Sequence, residues 1–214
     1  MRYLALSFAI LAGCGPLAGE NPLAGLVPVP GGEDAPVADA APADPRQVLT
    51  RDIIEGLPND LLLVEVPTRG AVATLLPVGQ NGPRQTWVSP DGISVTVEGG
   101  LIVATRGFGH DVMAADVSGL RAVLSGAASG QYVVETLDGR DQVVRQVFDC
   151  AIEDRTPDPV TIFERTYSTT KLFVVCGNSD IRFGNFYWVD RSGKIWKSQQ
   201  FTTPELGHMG TEVL

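Results

Sequence analysis

The chain has 214 residues, 44% of them hydrophobic and 19% charged, which suffices for one domain with a real core and excludes two large ones. Its formal charge is −9 and no basic cluster occurs along it, so nucleic acid is a poor partner. The acidic balance favours solubility and says little about a ligand.

Residues 1–13 carry one basic residue, Arg2, and then an apolar run from Tyr3 to Leu11. That run is far short of the roughly 20 residues that span a bilayer, and it has the build of a secretory signal peptide. It ends in Leu11-Ala12-Gly13-Cys14, similar to a bacterial lipobox, in which small residues admit the peptidase and the cysteine thiol takes the lipid. The alternative is an ordinary leader with Cys14 as an incidental thiol. A single acyl chain holds a protein only marginally, and several hold it firmly. Gly15, not aspartate, follows the cysteine, a pattern that favours the outer membrane over the inner one. Residues 14–44 then form the lipidated Cys and a tether rich in Pro, Ala and Gly, with no periodicity that would support helix or strand. Thirty such residues reach on the order of 30 Å when flexible and about 90 Å when fully polyproline-like. The reading is a protein anchored in the bilayer through acylated Cys14, with its domain in the periplasm of a Gram-negative cell.

The folded part is expected at 45–214. Asp44-Pro45-Arg46-Gln47 opens a short helix, with Asp44 as N-cap and Pro45 in the first position, running to about Glu55 and stopping at Gly56. Leu61–Val66 and Ala71–Leu76 read as strands around Pro67-Thr68-Arg69-Gly70, and Gln80-Asn81-Gly82-Pro83 as a turn. Residues 84–116 organise the rest. A strand at Gln85–Ser89 is followed by strict apolar–polar alternation over Ile93–Glu98 and an apolar run at Leu101–Thr105. Asp91-Gly92 and Gly99-Gly100 tolerate the positive φ of tight hairpins. The glycine-broken loop that follows carries Arg106, His110 and Asp111.

Val112–Leu120 is less regular, with room for one helical turn. Gln131–Leu137 and Gln142–Ala151 flank a hairpin signal at Asp138-Gly139. After the loop Thr156-Pro157-Asp158-Pro159 come strands at Val160–Tyr167 and Lys171–Cys176. A last hairpin pairs Ile181–Asp190 with Lys194–Phe201, and a final strand lies near Thr211–Leu214. About ten strands, with one short N-terminal helix, predict a mainly β fold: a curved antiparallel meander, barrel- or sandwich-like.

Cys150 and Cys176 are the thiols left beyond Cys14, and an oxidising compartment favours a disulfide between them. A flat meander with Val160–Tyr167 between their strands would hold them about 9–10 Å apart, whereas a disulfide needs Cα atoms within roughly 7 Å. The bond therefore requires a sharply bent sheet or a non-sequential strand order. A reactive thiol pair is the alternative.

No metalloprotease helix, phosphate-binding glycine loop or nucleophile elbow occurs, and neither histidine, His110 or His208, has metal-ligand spacing to the other. No cofactor is implied. Arg106, His110 and Asp111 form the one polar group that could host acid–base chemistry; the plainer reading is a turn braced by Arg106 and Asp111. Trp87, Tyr187, Trp188 and Trp196 could stack sugar rings, although strand aromatics more commonly pack in a core. Asp138-Gly139-Arg140-Asp141 lacks the full calcium-loop pattern.

Trp87 with Ser89, Asp91-Gly92, Gly100, Thr105-Arg106-Gly107, Gly109 and Asp111 make one block. Asn185, Tyr187-Trp188-Val189, Trp196, Ser198-Gln199-Gln200 and Leu206-Gly207 make a second. In order and spacing the chain resembles the YjbF/GfcB family of outer-membrane lipoproteins associated with group 4 capsule or exopolysaccharide. Phe108 stands in place of an aliphatic residue, and Phe186 in place of a basic one. The resemblance implies a non-catalytic accessory of polysaccharide secretion or assembly, docking on an outer-membrane β-barrel export partner. It implies no catalytic residues. A glycan-binding module, contacting polysaccharide through Trp87, Trp188 and Trp196, and a hydrolase or lyase using His110 and Asp111 are the other function classes.

Overall fold

The computed structural model describes residues 44–214. The expected leader, Cys14 and the tether up to residue 43 lie outside the described residues. Asp44 caps α1 (Pro45–Val48), its carboxylate accepting from the Arg46 amide at 2.9 Å. The expected single helix to Glu55 is instead two, because Leu49 is extended and Thr50 caps a second start, α2 (Arg51–Glu55), accepting from the Ile53 amide. Threonine competes for local backbone donors and serves a helix better at its cap than in its interior.

The strands are β1 (Leu62–Val66), β2 (Ala71–Asn81), β3 (Arg84–Val88), β4 (Ser94–Glu98), β5 (Leu101–Arg106) and β6 (Ala114–Asp116). After helix α3 (Ser118–Leu124) come β7 (Gly130–Leu137), β8 (Val143–Pro157), β9 (Val160–Ile162), β10 (Arg165–Tyr167), β11 (Thr170–Gly177), β12 (Arg182–Val189), β13 (Ile195–Thr203) and β14 (Gly207–Val213). Twelve of them build one antiparallel sheet in the order β5-β4-β3-β2-β1-β14-β13-β12-β11-β8-β7-β6. Its two end strands, β5 and β6, are consecutive in the chain and meet, the Thr105 amide donating to the Val112 carbonyl at 2.9 Å. The sheet is thereby a nearly closed barrel. The mainly β, curved antiparallel reading holds, with fourteen strands among the described residues rather than about ten.

Two segments differ from expectation. Val112–Leu120 divides into β6 and the start of α3. Val160–Tyr167 is not one sheet strand but the separate hairpin β9–β10, reversing at Phe163 and Glu164, both at positive φ. This hairpin leaves the sheet, so β8 pairs directly with β11 and sets Cys150 opposite Cys176. They form a disulfide with Cα atoms 4.1 Å apart. The β7–β8 hairpin forms where Asp138-Gly139 signalled it, but positive φ falls at Asp141, and the Asp138 carboxylate holds the loop through the amides of Arg140 and Gln142.

Three cores result. The first joins β6–β8, β11 and β12 under α3 and is rich in aromatics: Tyr132, Phe148, Phe183 and Tyr187. The second is mainly aliphatic, built from β1–β4 and β14 around Leu62, Val64, Leu75, Val95 and Met209. Strand β5 divides them, sending Leu101 and Val103 into the first and Ile102 into the second. The third lies outside the sheet, where Ile54 of α2 and Val160 and Ile162 of β9 cover Leu63 and Leu214.

Candidate functional site

The Arg106–Asp111 loop is the connection that closes the barrel. The Asp111 carboxylate accepts from the Thr105 hydroxyl at 2.7 Å, the Gly107 amide at 3.0 Å and the Phe108 amide at 3.2 Å. Arg106 donates to the carbonyls of Val112 at 2.9 Å and Met113 at 3.1 Å, so its guanidinium spans the seam. Arg69, in the turn between β1 and β2, donates to the Phe108 carbonyl. His110 is exposed, with Nδ1 3.9 Å from Glu205, beside a cleft of about 290 Å³ that also contacts Met113, Gln146 and Thr203. The brace reading of Arg106 and Asp111 is the one this geometry supports. Both Asp111 oxygens are occupied by the loop's own donors, which leaves a poor general base.

The two sequence blocks meet at β5. Its edge away from β4 cannot pair with a strand along its whole length, and a side chain substitutes. Gln200 of β13, 4% exposed, accepts the Ile102 amide at 3.0 Å and donates to the Gly100 carbonyl at 2.9 Å and to Ser198 at 2.8 Å. Ser198 in turn pairs with Thr211 at 2.6 Å. Gly100 is required here, since it has φ +87° and a Cβ would lie 2.8 Å from that of Ile195. Asn185 accepts the Phe201 amide at 2.8 Å. The buried Glu98 carboxylate receives Arg84 of β3 and Arg121 of α3, which ties the helix to the second core. Sequence reasoning did not single out Gln200, Ser198 or Glu98 as structural. The signal was present in polar side chains at alternate, inward positions of β13.

The aromatic candidates separate. Tyr187 is fully buried in the first core; burial, and then the neighbouring Tyr132, push its phenol pKa up, and burial does the same for Tyr132. Neither supplies a base at neutral pH. Trp188 and Trp196 are half-buried on the outer face. Trp188 donates to Asp158 at 2.9 Å, and Trp196 to Asp190 at 2.8 Å. Tyr167 of the hairpin stacks on Trp196 at 3.7 Å and Lys194 lies 3.6 Å from its ring centroid, so the ring is already covered. Trp87 is only 8% exposed, within the second core. It is no open stacking platform, yet it lines a cavity of about 520 Å³ between the β4–β5 and β12–β13 turns.

Asp190 shapes that second turn. One carboxylate oxygen accepts from the Ser192 amide at 2.8 Å, the Ser192 hydroxyl at 2.6 Å and the Lys194 amide at 3.1 Å. Burial opposes its ionisation, but these bonds together with that from Trp196 outweigh it and hold the pKa down to about 2. Among the described residues no cluster of His, Cys, Asp and Glu could hold a metal ion, and no helix is long and apolar enough to cross a membrane.

The backbone is similar to that of a solved structure, the hypothetical lipoprotein YmcC from Escherichia coli (K12), with a TM-score of 0.63 and 15% identity over 76% of this chain and 87% of that one. At that identity the likeness establishes the fold. No curated protein matches the chain. The model of the YjbF family, described as group 4 capsule polysaccharide lipoprotein gfcB, matches residues 34–214; the chain belongs to that family of capsule-associated lipoproteins.

Proposed function

We propose that the protein is a non-catalytic lipoprotein, held in the outer membrane by acylated Cys14, that assists capsule or exopolysaccharide secretion by docking on an outer-membrane export partner. The family match over residues 34–214 carries this reading. The use of the motif residues supports it, since Asp111, Asn185, Ser198 and Gln200 bond to the fold itself. A surface for docking is available. Of seven exposed large apolar side chains among the described residues, Leu137, Val143, Val144 and Val147 lie on the single β7–β8 hairpin. Leu137 stands opposite Val143, with Val147 two positions further along the same face.

Deletion of the gene, followed by measurement of the amount and chain length of secreted polysaccharide, tests the role; unchanged values would refute it. Replacing Val143 and Val147 by lysine adds charge to an exposed face, so stability should hold within about 0.5 kcal/mol. Polysaccharide export by that variant should fall if this hairpin is the docking face. Cys14→Ser should move the protein out of the membrane fraction.

A further inference from the structure

The two neighbours of β8 cover different parts of it. Strand β7 pairs with Val143–Cys150 and β11 with Asp149–Pro157, so over Val143–Phe148 the side of β8 away from β7 has no strand beside it. The pairing shows which groups lie on that side. The Asp138 amide donates to the Gln142 carbonyl at 2.9 Å; even-numbered residues of β8 therefore bond to β7, and odd-numbered ones turn their N–H and C=O the other way. The disulfide agrees, since Cα atoms 4.1 Å apart at Cys150 and Cys176 have the close spacing of a pair without ladder bonds. Val143, Arg145 and Val147 thus present their amides and carbonyls on an open edge. Exposed edges are normally blocked by lysine, proline, a bulge or a covering loop. Residues 143–148 contain no lysine, proline or glycine, the register with β7 is unbroken, and Val143 is 64% exposed.

We propose that this edge pairs with the same edge of a second copy of the chain, antiparallel about a two-fold axis at Arg145. Val143 then faces Val147 of the second copy, Arg145 faces its own counterpart, and every outward amide and carbonyl finds a partner. Moving the axis by one residue would set Val143 against Asp149, which β11 already holds, or Val147 against Asp141 in the turn, at positive φ. The side chains read the same in both directions, which is what a second copy requires. On the outer face Glu135 lies 3.6 Å from Arg145, so pairing makes a central row Glu–Arg–Arg–Glu in which each cation at the axis is neutralised from its own β7. The flanking rows are apolar: Leu137 and Val143, then Val147 and Val133 of the second copy. Pairing consumes the edge and leaves the outer face of the doubled ribbon free, so it is independent of what docks there.

Sedimentation velocity of the full-length protein in detergent, between about 1 and 100 µM, tests the pairing, and a dimer is expected by the upper end. Val147→Pro removes only an outward amide, and proline is tolerated at such edge positions. It should leave the melting temperature of the dilute protein nearly unchanged and weaken dimerisation about tenfold or more. Arg145→Cys sets two thiols across the axis with Cα atoms about 5.5 Å apart, within disulfide reach, and mild oxidation should link the chains in pairs. Val143→Cys, whose two copies would stand about 14 Å apart, should stay unlinked. A protein monomeric at about 100 µM, a dimer that Val147→Pro leaves intact, or linking of Val143→Cys in place of Arg145→Cys would each overturn the pairing.

Discussion

One sheet encloses two cores of different construction on either side of β5. The core under α3 is cross-linked by Cys150–Cys176 and filled by aromatic rings, with Phe148 edge-on to Phe183 at 5.0 Å. The core around Leu75 and Val95 is aliphatic, held by backbone pairing and by Gln200, and it leaves an open mouth at Trp87. Rings and a disulfide make a core that resists opening; short aliphatic side chains on curled strands leave space at the end of the curl. The difference places the cross-link in one half and the larger of the two clefts beside the other.

The largest effect should come from breaking the stronger half. Cys150 and Cys176 are separated by 26 residues and both are essentially buried. A loop of that length corresponds to about 3.5 kcal/mol in the chain-entropy treatment. Cys150→Ala with Cys176→Ala should lower stability to urea by that order. Hydrogen exchange should show faster opening of β7, β8 and β11 than of β1 and β2. Equal loss of protection in all strands would mean that the two cores open together.

Gln200 tests the boundary itself. Gln200→Leu keeps the volume but strands the Ile102 amide and the Gly100 carbonyl, at a cost of about 2–3 kcal/mol. The Ile102 amide should lose its exchange protection first. Because β5 faces both cores, this one substitution should weaken both, unlike the disulfide change.

How much of this was legible in the sequence follows from what each device needs. The β4 alternation and the glycine turns at 92, 99 and 100 are local, so strand and turn were readable from 84–116; the family was readable from that block taken together with the one at 185–207. The Asp111 brace was readable too, since its donors lie within six residues. The contact of Gln200 with Ile102 spans 98 residues, and no local pattern reports it. The disulfide posed a distance problem that only the departure of β9–β10 resolves, and Val160–Tyr167 is too short to announce that it reverses at Phe163-Glu164. Trp87 was marked as a contact by its residue type; its burial, and the cavity beside it, depend on the curl of the whole sheet.

The seam offers a smaller test. Asp111→Ala removes three hydrogen bonds, from Thr105, Gly107 and Phe108, on a partly solvated loop, and should cost about 1–2 kcal/mol. Thermal unfolding measures it. The brace reading expects capsule output to follow this stability loss; loss of output with an unchanged melting temperature would instead restore Asp111 as a functional group.

Asp190 gives the smallest effect and acts on the β12–β13 turn at the rim of the mouth. Its pKa is depressed from 3.8 to about 2 in the folded chain, so the unfolded state binds the proton more readily. The stabilisation is therefore fully present above about pH 4 and is lost as pH falls through about 2. Because the carboxylate is partly exposed, solvent screening leaves roughly 1 kcal/mol of it. Asp190→Asn should remove that acid-dependent part, flattening the stability profile between pH 4 and 2 and leaving its slope above pH 5 unchanged. The same carboxylate fixes Ser192 and Lys194 at the rim of the Trp87 mouth. Acid should accordingly loosen the β12–β13 turn before it reaches the disulfide-linked core, and amide exchange at Ser192 and Lys194 should rise ahead of that at Cys150. If exchange at the two sites rises together, the mouth and the aromatic core form one cooperative unit, and their division at β5 is one of packing and not of stability.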